Sequence, residues 1–230
     1  MASLNLDRAT LTLLEDLKKD FSISFETKNI EYCEVFQKNK TATIYYNPEI
    51  VDTESIAHEL LHIWLNRFNY SIGNHLFLLT RGEEKLSKIL NKFLCDHITN
   101  CCDHFKMYPK YISMGYSPSK FLTNSLAPKA YLEDVKEINL HISGCYNSNS
   151  INQFIGHLIS ILADHVDNDY AEYHIILQNK DIELYKIVTD FWNKWAKFDI
   201  ENIDIFNSDL ELTESLMAEL LIWSKHKEIQ

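Results

Sequence analysis

Residues 56–64 read Ile-Ala-His-Glu-Leu-Leu-His-Ile-Trp, and no other stretch restricts the fold as strongly. Six of the nine residues are apolar and call for burial, while His58, Glu59 and His62 are ionisable and need partners once buried. On an α-helix the two histidines fall one turn apart on one face. Their imidazoles can share one divalent cation, with Glu59 beside them to hold a bound water and take its proton. The competing reading is an amphipathic core helix with surface or satisfied histidines. It accounts poorly for three ionisable groups on an otherwise Leu, Ile and Trp helix.

The flanks support a helix. Asp52 and Thr53 are N-cap candidates, and Glu54 falls in the first turn, where negative charge suits the dipole. The helix is expected over about 53–68. Thr41-Ala42-Thr43-Ile44-Tyr45-Tyr46 is rich in β-branched and aromatic residues and predicts a strand, ended by a turn at Asn47-Pro48.

A strand, a turn and a helix bearing H-E-L-L-H resemble the zincin metallopeptidase fold. Within it, the chain is most similar to small gluzincin-type proteins of the ImmA/IrrE-like group. The resemblance covers about residues 40–116. It implies zinc held by His58 and His62, with Glu59 as general base. It also implies that Thr41–Tyr46 is an edge strand with which a peptide substrate pairs antiparallel, placing Thr43 and Tyr45 against the substrate.

Composition sets the class. The chain has 230 residues, enough for one sizeable core or a core with a helical extension. Only 5 Gly and 4 Pro argue against a large all-β fold and against long disordered linkers. A net charge of −11 argues against non-specific nucleic-acid binding, which needs a basic face. No apolar run reaches bilayer-spanning length, and Met1–Lys19 has no signal-peptide core. Five cysteines, Cys33, Cys95, Cys101, Cys102 and Cys145, with no such signal, suggest reduced thiols and a cytoplasmic protein. There is no C-x-x-C pair to suggest a zinc knuckle.

The expected fold class is α+β, mostly helical: a small, largely antiparallel zincin-like sheet, the motif helix, and a helical C-terminal part. Leu11, Leu14 and Leu17 mark a first helix over 5–19, and strands are expected at Phe21–Phe25 and Glu31–Phe36. Lys38-Asn39-Lys40 forms a polar turn. Ser71–Asn74 is expected to be a loop and Arg81-Gly82 a break, followed by a long helix from Glu83 to Phe105 that ends or kinks at Met107-Tyr108-Pro109. Tyr111–Met114 reads as one short turn, and Ser117-Pro118-Ser119 as the start of a helix through about Leu126. Residues 142–152 are small and polar and form the best candidate linker. They divide a domain of residues 1–145 from a helical extension of 146–230, with helices over about 152–166, 170–195 (broken near Asn179) and 208–227.

Two histidines do not suffice for catalytic zinc, which takes three protein ligands and an open position. By the resemblance, the third comes from the next long helix. Asp96, Asn100 and His104 form a line there at i, i+4 and i+8, with Asp103 at its edge. His104 is the first candidate, with Asn100 one turn earlier placed to orient its ring. Asp103 and Asp96 are the carboxylate alternatives. The glutamate typical of the group is at none of these positions, which is a departure from its pattern. A polar line of this kind is also what a solvated helix face looks like.

A peptidase also needs a donor for the developing oxyanion, and Tyr108, Tyr111, Tyr116, Tyr173 and His174 are candidates that the sequence does not rank. His157, His165 and His226 read as surface residues, and Phe191, Trp192, Trp195 and Phe198 as core. No G-x-S-x-G nucleophile motif is present. The leading expectation is a cytoplasmic zinc metallopeptidase acting on a peptide or protein, with no nucleic-acid or membrane partner. The alternative is an inactive zincin-scaffold protein that serves as an interaction module.

Overall fold

The computed structural model describes residues 4–68, 70–122, 124–203 and 208–230. Among them the fold is mostly helical α+β, with ten α-helices and two small sheets. The chain divides into two compact units, Met1–Asn69 with Lys106–Ala127, and Tyr70–Phe105 with Pro128–Gln230.

In the first unit, α1 (Arg8–Leu17) is capped by Asp7, whose side chain accepts from the Thr10 N–H. Its buried stripe is Thr10, Leu13, Leu14 and Leu17, and Leu11 points outward. Then come β1 (Ser22–Thr27), β2 (Glu34–Lys38) and β3 (Thr41–Tyr46), in the order β1-β3-β2. Asn39, with φ of 54°, turns the chain from β2 into β3. One face is inward: Ala42, Ile44 and Tyr46 are buried, with Ile23 and Phe25 opposite the first two. The other face, with Glu34, Phe36 and Lys38, is open to solvent.

Two sheet expectations are corrected. β3 is the central strand, parallel to β1 and antiparallel to β2, so the sheet is mixed and not largely antiparallel. β3 is paired on both sides, which removes Thr41–Tyr46 as a pairing edge for a peptide. Residue alternation reports which face is buried and does not report strand order.

After the sheet, α2 (Thr53–Leu65) carries the motif and continues as a 3-10 turn over Asn66–Phe68. Asp52 is its N-cap, accepting from the Ser55 N–H at 2.8 Å. Only its first turn and His62 escape burial, as the apolar run requires.

The second unit opens with α3 (Ile72–Arg81), α4 (Glu84–Ile89) and α5 (Lys92–Ser113). The expected loop at Ser71–Asn74 is instead the start of α3. Its glycine serves packing, since a Cβ on Gly73 would lie 2.8 Å from the Thr99 side chain. The long helix expected over 83–105 breaks at Leu90-Asn91 and then runs past Phe105, with Pro109 inside it. Tyr111–Ser113 therefore belong to α5. Gly115, at φ of 90°, follows it. Pro118–Lys120 is a 3-10 turn and not a helix, with further turns at 124–126; Thr123 lies outside the described residues.

The rest of the second unit comprises α6 (Leu132–Glu137), the hairpin β4 (His141–Ile142) and β5 (Cys145–Tyr146), α7 (Ser148–Leu162), α8 (Ala171–Lys180), α9 (Ile182–Lys197) and α10 (Asp209–Ser224). The candidate linker over 142–152 is thus a hairpin, turned by Gly144 at φ of 85°, and the capped start of α7. Small polar residues there serve a tight turn and an N-cap. The compact units also divide elsewhere than at 145/146, because α3 and α4 pack against α10. Phe191, Trp192, Trp195 and Phe198 are buried, as expected.

One buried carboxylate ties α10 to α3. Asp209, 3% exposed, accepts from the Ser71 N–H at 2.8 Å and lies 3.2 Å from His75 Nδ1. It caps α3 from another helix, where Ser71 makes no cap bond of its own. Asp209→Ala is expected to cost about 2 kcal/mol, lowering the melting temperature by roughly 4–8 °C. An unchanged thermal transition would contradict that cap.

Candidate metal centre

His58 and His62 project from one face of α2, with ring centroids 5.1 Å apart and planes at 70°. His58 is almost fully buried. Its ring makes a hydrogen bond with the Phe121 main chain, and the Phe121 ring lies 5.0 Å away. A bond of this kind fixes ring orientation. The third histidine is His104, 8% exposed. It stands two residues before the point at which α5, one continuous helix, passes into the first unit. One ring nitrogen from each of His58, His62 and His104 lies within 4.8 Å of the other two.

That spacing suits a cation. Three points no farther apart than 4.8 Å share a centre at most about 2.8 Å from each, and a small closing of the rings reaches the ~2.0–2.1 Å zinc–imidazole bond. Protonation favours the same use. His58 is pushed down to about 3, first by burial and then by the charge of His62. It is therefore neutral at physiological pH, the form that ligates metal.

Glu59 is buried beside these rings, and its carboxyl is pushed up to about 7. Burial is the largest cause; His62 and a hydrogen bond from the Val35 backbone oppose it, and Glu34 adds to it. A carboxyl so placed is half ionised near neutrality, where a general base works best. Cys33 feels the same carboxylate: its thiol is pushed up to about 12 by burial first, then by Glu59 and Asp52. It stays protonated.

The other sequence candidates lie elsewhere. Asp96 and Asn100 are exposed, so Asn100 is not buried behind His104 as an orienting partner. Asp103 accepts from the Tyr70 hydroxyl. Neither carboxylate joins the histidine group; among the described residues, His58, His62 and His104 are the ones that converge. His165 is half-buried, stacks on Phe105 with centroids 5.7 Å apart and bonds to the His104 main chain, so it is not the surface residue expected. His157 is also half-buried, and His226 is exposed.

Of the oxyanion candidates, Tyr116 bonds to Asp7 at 2.8 and 3.0 Å and to Thr10. Tyr173 bonds to the Ala130 carbonyl at 3.4 Å, and His174 to the Tyr185 hydroxyl at 3.0 Å. Tyr111 is buried among Phe121 and Tyr116. Tyr108 is half-exposed one turn beyond His104, its ring 5.2 Å from that of Phe121. Val35 and Phe121 were not legible as site residues in the sequence. Both act through main-chain groups, which side-chain patterns do not encode.

Comparison with protein-family models, with curated proteins and with solved structures finds no match to this chain. Among the described residues, no helix is long and apolar enough to cross a membrane.

Proposed function

We propose that the chain is a zinc-dependent metallopeptidase, with His58, His62 and His104 as the metal ligands and Glu59 as the general base. The convergence of three imidazoles on a common centre carries this reading. A buried carboxylate with a pKa near neutrality supports it. Zinc held there would supply Lewis-acid polarisation of a carbonyl and a water of lowered pKa. The residues do the remaining work. Phe121 holds the His58 ring by a main-chain bond. Glu59 receives a proton from water on its carboxylate and passes it to the leaving amine. Tyr108 is the tyrosine best placed to donate to the developing oxyanion. A peptide would lie extended along β2, the strand whose backbone reaches Glu59, and not along β3.

The reading is tested by metal analysis of chain purified without chelator. About one zinc per chain is expected, lost in His58→Ala, together with cleavage of an unstructured protein that a chelator abolishes. Chain prepared this way without bound metal would refute the proposal and favour the inactive interaction module.

A further inference from the structure

β2 ends the sheet and, among the described strands, pairs with β3 alone. In an antiparallel ladder, alternate residues direct their N–H and C=O groups to the partner or away from it. The Ser22 and Lys28 N–H groups bond to the Lys40 and Tyr46 carbonyls, so the even-numbered residues of β3 face β1; Val35 and Gln37, opposite Ile44 and Ala42, are therefore outward positions of β2. A peptide strand added there would bond to the Gln37 N–H and C=O and to the Val35 carbonyl, the Val35 N–H being directed at Glu59. It would face Phe36 in the non-bonded pair, where cross-strand side chains come closest.

Phe36 is 63% exposed on the solvent face of the sheet. It borders a hollow of about 460 Å³ that Lys28, Glu34, Val35 and Tyr45 also line. Charge along the strip is uneven. Glu34 is paired with Lys28, while Lys38, on the same face as Phe36, makes no ion pair among the described residues.

We propose that this edge selects its peptide by side chain: an extended antiparallel segment with an aromatic or large aliphatic residue facing Phe36 and an acidic residue two positions nearer its N-terminus, facing Lys38. The order follows from strand direction, because an antiparallel partner reaches Lys38 before Phe36. The proposal rests on the metallopeptidase reading for the fate of the peptide, and on the edge alone for its capture.

The test is selection from a randomised library of blocked decapeptides on the full-length Glu59→Gln chain, which binds without cleaving. Enrichment of about threefold is expected at each of the two positions. Phe36→Ala should abolish the first preference, and Lys38→Glu should turn the second from acidic to basic. Gln37→Pro removes an outward N–H and keeps the β2–β3 ladder. It should weaken binding about tenfold relative to Gln37→Ala. Unchanged selection in the Phe36 and Lys38 variants would overturn the proposal. So would equal binding by the two Gln37 variants, or an acidic preference on the C-terminal side. Selective binding without cleavage by the wild-type chain would sink the hydrolase reading alone, whereas cleavage without selection would sink the edge proposal alone.

Discussion

On the proposed reading, Glu59→Gln is expected to lower kcat/KM by about 10²–10⁴-fold, the usual contribution of a positioned acid–base group, without loss of zinc binding. Gln matches Glu in size and cannot accept the proton. The same substitution is expected to stabilise the metal-free chain at neutral pH. Burial raises the Glu59 carboxyl from 4.5 to about 7 in the folded state. The folded chain then holds a proton that the unfolded chain has already released. The stabilising contribution is fully present below pH 4.5 and is lost as pH rises through about 7, a swing of about 3 kcal/mol. Glutamine does not titrate, so the stability difference between variant and wild type should grow between pH 4.5 and 7 and then level off. Urea unfolding in chelator at three pH values across that range measures it. A bound cation favours the anion and should suppress the effect. Full-rate cleavage by the variant would remove Glu59 as the base. A difference independent of pH would show that its carboxyl is not buried as described.

His104→Ala is expected to release the metal, whereas Asp103→Ala and Asp96→Ala keep it. Two imidazoles on one helix leave a catalytic centre a ligand short. The loss in zinc affinity should well exceed the ~10–100-fold that follows removal of a group merely orienting a ligand. Asp103→Ala should act through stability, because it strips the Tyr70 hydroxyl of its acceptor. Asp96→Ala should do little, since that side chain faces solvent. Competitive titration with a chromogenic zinc chelator separates the three variants. Equal affinity in His104→Ala and wild type would return the third ligand to a carboxylate.

The helices that the sequence announced best were those whose local signals agree. α2 shows a cap at Asp52, acid in the first turn and a run of apolar residues. α1, α7 and α10 lie within a few residues of their expected spans. Misreadings arose where one residue serves two purposes. Gly73 looked like a loop and is a close contact with Thr99. Pro109 looked like an end or a kink of the helix and sits inside α5, which continues to Ser113. The polar run at 142–152 looked like a linker and forms a hairpin and a cap.

What the sequence determined by itself was the α2 pair of imidazoles with a carboxylate between them. Helical geometry alone puts residues four apart on one face, whatever the rest of the chain does. Tertiary structure decided which of three candidates on α5 joins them, through burial: Asp96 is in solvent, Asp103 is bound to Tyr70, and His104 is enclosed. It also decided that β2 and not β3 lies at the edge, and that Val35 reaches Glu59 by its main chain. Strand order and main-chain contacts come from the packing of distant segments, and an alternating pattern reads the same in a central strand as in an outer one.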